Sequence, residues 1–172
     1  DASMFVYGTT RATNGIVERK IARTAFLATH GFPDILLLKE GGKSEPHNLQ
    51  VEYPDPYIPR RLTFEIPERI NAEGGVETQL DEAAVRALLV TFPDRNIEAI
   101  AVCLLWSIAN PAHELRVGEL ISEILPDIPF TLSHQLNPIL REYRRASSTA
   151  IDASLKPMMQ DYLLTLESDL RT

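Results

Sequence analysis

The chain has 172 residues, of which 44% are hydrophobic, and this size and apolar content fit one domain with a sizeable core. Its 17 basic and 24 acidic residues give a net charge of −7, which argues against a nucleic-acid partner and against attraction to an anionic membrane. No apolar run approaches the ~20 residues that span a bilayer and no secretory leader opens the chain, so we expect a cytoplasmic protein.

The amino-terminal part of the chain predicts strands that alternate with helices. Buried strands are expected at Phe5 to Tyr7 and at Arg23 to Thr29, on either side of a helix from about Ala12 to Lys20. A short helix is expected from Pro33 to about Lys39. The glycines and prolines between Glu40 and Arg61 predict a long irregular connection.

A β-hairpin is predicted next. Apolar and polar residues alternate from Leu62 to Ile70, the turn residues 71–75 follow, and a second strand is expected from Val76 to Leu80. Together with the preceding elements, this pattern predicts an α/β fold that has a mixed sheet, flanking helices and a hairpin.

The carboxyl-terminal part predicts a central strand between helices. Asp81 is expected to cap a helix that ends near Phe92, and the nearly continuous apolar run Ile97 to Trp106 predicts a strand buried on both faces. Asn110 and Pro111 mark the start of a helix that runs to Pro126. Cys103, the single cysteine, lies inside the apolar run and is expected to be a buried structural thiol.

The chain closes with a short strand and a long helical region. The strand is predicted at Phe130 to Ser133 and the helix at about Ser147 to Leu170, with a kink or a restart at Pro157. Methionines and leucines form one broad face of this helix, a pattern typical of core or of contact between subunits.

The first candidate site is the turn at Gly8, Thr9 and Thr10. Threonine hydroxyls and a backbone that glycine leaves accessible, just before a helix, are suited to an oxyanion such as phosphate. The alternative is that the threonines only cap the helix.

The second candidate site follows the strand that ends at Ser133. His134 would lie where open α/β sheets commonly bind ligands, and a histidine there can donate a proton to a carbonyl oxygen or polarise it. A polar cluster comes soon afterwards and is suited to anionic groups; its members are Arg141, Glu142, Arg145, Ser147, Ser148 and Thr149. The alternatives are a surface histidine, helix caps and solvated ion pairs.

Several segments together resemble a known family. Residues 8–14 read Gly-Thr-Thr-Arg-Ala-Thr-Asn, residues 31–36 read Gly-Phe-Pro-Asp-Ile-Leu, and residues 59–70 contain Pro-Arg-Arg-Leu-Thr-Phe-Glu-Ile-Pro-Glu-Arg. Residues 109–114, 133–134 and 141–143 complete the series. The segments resemble the amino-terminal region of the ATP-dependent hydantoinase, 5-oxoprolinase and ketone carboxylase family, and they occur in the same order as in that family.

This resemblance implies a part of the sugar kinase, Hsp70 and actin type of fold and an enzyme that uses ATP and Mg²⁺. The implied chemistry is phosphorylation of a carbonyl or amide oxygen, followed by hydrolysis of a cyclic amide (hydantoin, oxoproline or lactam) or by carboxylation of a ketone such as acetone or acetophenone. The resemblance places four residues near phosphate or substrate and three near the reacting oxygen: Gly8, Thr9, Thr10 and Asn14, and His134, Arg141 and Glu142.

The sequence also departs from the family pattern. Trp106 and Ile108 stand where many relatives have His and Tyr, so a more apolar pocket wall follows if Trp106 faces the ligand. The family's phosphate loops are absent from the chain. We therefore expect residues 1–172 to be a single domain from the amino-terminal region of a larger enzyme. This domain is expected to be inactive without the rest of that enzyme or its partner subunits. The spacing of histidines and Cys103 predicts no metal site.

A second hypothesis is a non-catalytic module that serves assembly of such a complex. The segment from Met158 to Leu170 would then form a subunit contact, and Trp106 would be buried in an interface. The sequence leaves both hypotheses open.

Overall fold

The computed structural model describes residues 9–40, 47–48, 50 and 55–171. Within them the strands are β1 (Thr24–Thr29), β2 (Thr63–Ile66), β3 (Arg69–Ile70), β4 (Val76–Thr78), β5 (Ala99–Cys103) and β6 (Phe130–Leu132). The helices are α1 (Arg11–Val17), α2 (Ile35–Leu38), α3 (Glu82–Leu89), α4 (Ala112–Ile124), α5 (Ser133–Leu136) and α6 (Glu142–Arg171). The strand expected at Phe5 to Tyr7 lies outside the described residues.

Four parallel strands form the main sheet, in the order β2-β1-β5-β6. Every residue of β1 and β5 is buried, as the continuous apolar runs predict for central strands covered on both faces. The predicted α/β fold is thus confirmed. Because the four strands are parallel, their carboxyl ends meet at one edge of the sheet, which we call the carboxyl edge.

The predicted hairpin is confirmed, but it is shorter than expected. Residues 63–66 belong to the parallel sheet, and only β3 pairs with β4 in an antiparallel manner. Pro67 separates the two parts because it has no N–H for a ladder, while its carbonyl accepts from Asp81 N. At the turn, Gly74 adopts a φ of 82°, which favours glycine.

The helices follow the predicted order. Asp81 caps α3 by accepting a hydrogen bond from Ala84 N at 2.9 Å, as expected. Helix α6 begins at Glu142, earlier than the predicted Ser147, and it continues through Pro157. The serine and threonine hydroxyls that suggested caps instead donate to carbonyl oxygens of the preceding turn, Ser148 to Arg144 and Thr149 to Arg145.

Helix α6 spans the sheet from its carboxyl edge to its opposite edge. Its small residues Ala146, Ala150 and Ala153 are fully buried in the core, and Ala22 N, just before β1, donates to Ser154 O at 3.0 Å. Further along α6 several leucines are exposed: Leu163, Leu164 and Leu170. Of the helices in the described ranges, none combines the length and apolarity needed to cross a membrane.

Candidate active site

The carboxyl edge of the sheet brings together polar side chains that are far apart in the sequence. Strand β6 ends at Leu132, and Ser133 and His134 follow at the start of α5. Helix α4 supplies Glu114 and helix α6 supplies Arg145, and both of these charged side chains are fully buried. His134 therefore follows a parallel strand at the carboxyl edge, a position where open α/β sheets commonly bind ligands.

The Glu114 carboxylate is surrounded by donors. Its Oε1 accepts from Leu104 N at 2.8 Å and from Ser133 Oγ at 2.6 Å. Its Oε2 accepts from the backbone N–H of His134 at 3.1 Å and lies 2.6 Å from His134 Nδ1. The two oxygens thus accept from one hydroxyl and two backbone N–H groups.

This arrangement determines the state of the His134 ring. A carboxylate can only accept, so Nδ1 of His134 holds the proton that points to Glu114, and Nε2 of the neutral ring has a free lone pair. The described residues offer Nε2 no hydrogen-bond partner, and 12% of the side chain is exposed. The histidine is thus oriented by a buried carboxylate and can exchange a proton at Nε2.

Arg145 holds the same region from the other side. Its Nε donates to Ser133 Oγ at 3.0 Å, and its two terminal nitrogens donate to Ile139 O at 3.1 Å and Leu104 O at 3.0 Å. The Ser133 hydroxyl therefore bridges the buried cation and the buried anion. Because the hydroxyl connects the two opposite charges, each reduces the free-energy cost of burying the other.

A second buried glutamate–histidine pair lies at the same edge. His113 Nδ1 is 2.7 Å from Glu68 Oε2, and the side chains are 9% and 0% exposed. Thr29 Oγ1 accepts from Leu105 N at 2.9 Å, so its proton is directed to Glu68 Oε1. The two hydrogen bonds of Thr29 thus connect the end of β1 to the residues after β5.

A cavity of about 420 Å³ lies at the same edge, and one of the predicted site residues, Glu142, lines it. It is lined by the loop after β1, by α2, by Leu105 and Trp106 after β5, and by Glu142 at the start of α6. Arg141, the neighbouring prediction, is exposed and lines a smaller adjoining depression with Glu40. The cavity and the Glu114–His134 pair share the carboxyl edge.

The predicted oxyanion turn lies elsewhere. The Arg11 guanidinium lies 4.8 Å from the Tyr162 ring centroid, and Gly15 is packed next to Met158. Met158 lies thirteen positions after Arg145 in α6, about 20 Å along a helix. Thr9, Thr10 and Asn14 are exposed at this far end, while Gly8 lies outside the described residues. The structure therefore does not bring this turn together with His134.

A second and larger cavity does not coincide with the polar pairs. It measures about 700 Å³ and lies at the amino ends of the strands, where Arg23, Thr24, Tyr57 and Leu62 line it. Ligands of parallel α/β sheets bind at the opposite, carboxyl edge. The buried titratable pairs at that edge identify the better candidate site despite its smaller cavity.

The described residues contain no cluster of metal ligands, and the sequence contains no phosphate loop. No glycine-rich phosphate loop occurs in the sequence. In the part of the chain that the structure describes, no three histidine, cysteine, aspartate or glutamate side chains lie close enough together to hold a metal ion. At the predicted oxyanion turn, the Thr9 hydroxyl already accepts a hydrogen bond from Arg11 N at 3.1 Å.

Cys103 is buried as the sequence predicts. Burial raises the pKa of its thiol to about 12, so the thiol stays protonated at neutral pH. It is structural rather than nucleophilic.

Sequence reasoning missed the two glutamates of the buried pairs. Glu114 looks like an ordinary first-turn carboxylate of α4. A signal was available, because residues 114, 117, 118 and 121 are spaced as one helix face and the other three are apolar or glycine. A charged residue on such a face has to be paired. Nothing local in the sequence distinguishes Glu68.

Comparison with known proteins agrees with this architecture. Residues 1–125 match the family model described as the hydantoinase/oxoprolinase N-terminal region. The chain is 33% identical over 170 residues to the caprolactamase alpha subunit of Pseudomonas jessenii and 37% identical over 168 residues to the acetophenone carboxylase gamma subunit of Aromatoleum aromaticum. These alignments cover 98% and 90% of the chain.

A solved structure has the same fold. The crystal structure of ATP-dependent caprolactamase from Pseudomonas jessenii superposes with a TM-score of 0.84 over 94% of the chain at 34% identity. The chain spans about a quarter of the length of these proteins, 24% of the alpha subunit, 23% of the gamma subunit and 24% of the crystallised chain.

Proposed function

Because the chain belongs to the hydantoinase/oxoprolinase N-terminal region family, we propose that it is part of an ATP-dependent enzyme that activates a carbonyl or amide oxygen by phosphorylation. The activated carbon is then hydrolysed, if the substrate is a hydantoin, an oxoproline or a lactam, or carboxylated, if the substrate is a ketone. The caprolactamase and acetophenone carboxylase relatives support these two outcomes.

The observation that carries this proposal is the buried Glu114–His134 pair at the carboxyl edge. His134 Nε2 exchanges a proton with the substrate, at the amide nitrogen of a lactam or at the carbonyl oxygen. Glu114 fixes the ring tautomer and stabilises the positive charge that forms when Nε2 accepts a proton. We propose that Glu142 and Arg141, at the start of α6, also lie near the reacting oxygen of the substrate.

Arg145 and Ser133 keep the pair rigid. The guanidinium donates into Ser133 and into two backbone carbonyls, so neither Glu114 nor α5 moves when the charge on His134 changes. Fixed dipoles around a reacting group lower the cost of charge formation, because they need no reorganisation.

ATP, held with Mg²⁺ by segments outside this chain, would supply the phosphoryl group. The phosphate loops that are absent here would come from the remainder of the parent enzyme or from partner subunits. We propose that Gly8, Thr9, Thr10 and Asn14 receive an anionic group presented by one of those segments. The exposed hydroxyl of Thr10 supports this proposal.

The alternative, a non-catalytic assembly module, has its own supporting observation. Leu163, Leu164 and Leu170 leave 52%, 65% and 58% of their surface exposed on the last part of α6. Apolar side chains concentrated on one helix end are typical of a contact with another segment. Trp106, by contrast, is only half-buried and lines a cavity.

The test is turnover by the complete protein, isolated with all the segments and subunits that accompany it. A panel of hydantoin, 5-oxoproline, ε-caprolactam, acetone and acetophenone with bicarbonate is incubated with and without ATP. We expect ring opening or carboxylation that requires ATP and releases ADP. Consumption of any of these substrates at an equal rate without ATP, or no consumption at all, would overturn the proposal.

A further inference from the structure

The backbone at Trp106 has a conformation that needs an explanation. Its φ is 55°, in the left-handed region that a bulky side chain rarely adopts. A tight turn holds it, because Trp106 O accepts from Ala109 N at 2.9 Å and from Asn110 N at 3.1 Å. These hydrogen bonds hold the main chain of Trp106 in the strained conformation, and such conformations are found most often at ligand contacts and active sites.

The residues behind Trp106 are fixed as well. Leu105 N donates to Thr29 Oγ1, which donates to Glu68, and Glu68 in turn pairs with His113. This buried series anchors the end of β5 to β1 without entering the cavity. Its effect is to position the Leu105–Trp106 wall.

The cavity is lined by both apolar and charged residues. Phe32, Ile35 and Leu38 face the same space as Trp106. Arg69 lies with its guanidinium 4.9 Å from the Phe32 ring centroid. The Glu142 side chain has no ion pair or hydrogen bond to another described residue, so its carboxylate is available as an acceptor. The Arg69 Nε lies 3.8 Å from Glu77 Oε2, and a guanidinium has further N–H groups that can donate to a ligand. A volume of about 420 Å³ with this lining is suited to one small ring compound.

We propose that this cavity is the subsite for the ring of an uncharged carbonyl substrate, and that Trp106 is its specificity-determining wall. The indole stacks on the ring, Phe32 adds apolar contact, and Arg69 offers its donors to the carbonyl oxygen. Thr29, Glu68 and His113 are positioning residues that hold the Trp106 turn. This inference depends on the proposed function in one respect, namely that the substrate is a carbonyl compound.

The experiment uses the single tryptophan of the chain as a reporter. The protein is labelled with 5-fluorotryptophan, and its ¹⁹F spectrum is recorded during titration with ε-caprolactam or acetophenone in the absence of ATP. The Trp106→Phe variant assigns the resonance, even if further subunits contribute tryptophans. We expect a saturable shift of this resonance with either ring compound and none with acetamide at the same concentration.

Two variants decide the location. Phe32→Ala should weaken the apparent Kd by about tenfold, because it removes an aromatic side chain from the lining of the cavity. Val90→Ala, a truncation of an exposed apolar residue outside the cavity, should leave the Kd unchanged. No shift in the wild-type protein, a shift equally strong with acetamide, or equal binding by Phe32→Ala would overturn the proposal. A shift produced by a partner subunit and by no ring compound would identify an interface instead.

Turnover separates this inference from the proposed function. If the subsite is correct, Trp106→Phe changes the ratio of kcat/KM between ε-caprolactam and 2-pyrrolidinone, and Val90→Ala does not. ATP-dependent turnover with an unchanged ratio and no ¹⁹F shift contradicts the subsite alone. A saturable shift in a protein that has no ATP-dependent turnover contradicts the proposed function alone.

Discussion

Glu114 contacts His134 twice through one oxygen: Oε2 lies 2.6 Å from the ring Nδ1 and 3.1 Å from the backbone nitrogen. The ring and the main chain of His134 are therefore both fixed to a carboxylate that has no exposed surface. Two consequences follow: the tautomer is determined, and the stability of this edge depends on charges that water does not reach.

Glu114→Gln tests the charge at this contact. The amide keeps the shape of the carboxylate, but its NH₂ group faces donors on both sides, so we expect a loss of about 1–3 kcal/mol in the free energy of unfolding. Urea unfolding measures this loss. Glu119→Gln, on an exposed glutamate of the same helix, is the matched control and should change stability by less than about 1 kcal/mol. Equal effects in the two variants would contradict the assigned role.

Arg145→Met tests the cation on the other side of Ser133. It removes the donors to Leu104 O and Ile139 O and leaves the buried Glu114 charge without its compensation, so we expect a loss of about 3–5 kcal/mol. Arg144→Met changes the adjacent residue, whose pair with Glu40 is exposed, and should cost less than about 1 kcal/mol. Similar midpoints of urea unfolding for the two variants would rule out a structural role for Arg145.

The order and type of the main elements could be predicted because their signals are local. The runs at Thr24–Thr29 and Ala99–Cys103 are continuous and apolar, and Asp81 is a good cap. Interactions between distant segments could not be predicted. Residues 63–66 join the parallel sheet through pairing with β1, which alternation of residue types does not specify.

The candidate site was predictable only in part, for the same reason. His134 could be placed from the strand that precedes it, whereas its partner Glu114 comes from another helix. The start of α6 was misplaced because Ser148 and Thr149 are equally suited to caps and to bonds with the preceding turn. The separation of Thr10 from His134 depends on where α1 packs along α6, and no sequence pattern contains that information.

Cys103 provides a prediction on pH and reactivity. Because burial raises the pKa of the folded thiol to about 12 from an ordinary value of 9.0, the unfolded thiol loses its proton at a lower pH than the folded one. The contribution of this thiol to stability is therefore present below pH 9 and is lost as the pH rises towards 12. Cys103→Ala should reduce this alkaline loss in urea titrations. Rapid reaction of the native thiol with a disulfide reagent at pH 8 would contradict its burial.

Thr10→Ala tests the oxyanion turn. The Thr10 side chain is exposed and makes no capping hydrogen bond, so we expect the free energy of unfolding to change by less than about 0.5 kcal/mol. If the turn receives an anionic group, ATP-dependent turnover should nevertheless fall at least tenfold. Thr165→Ala, which removes an exposed hydroxyl near the end of α6, is the control for turnover. Unchanged turnover in Thr10→Ala would remove this turn from the proposed site.

The most direct test of the account is the turnover number of the complete enzyme with His134→Asn. If Nε2 exchanges a proton with the substrate, kcat should fall by about 10²–10⁴-fold while the thermal midpoint stays close to that of the wild type. His30→Asn is the control, because His30 also pairs with a glutamate, Glu65, but leaves 73% of its side chain exposed, and it should retain wild-type turnover. A His134→Asn enzyme that keeps its kcat within about threefold would contradict the catalytic role of the carboxyl edge.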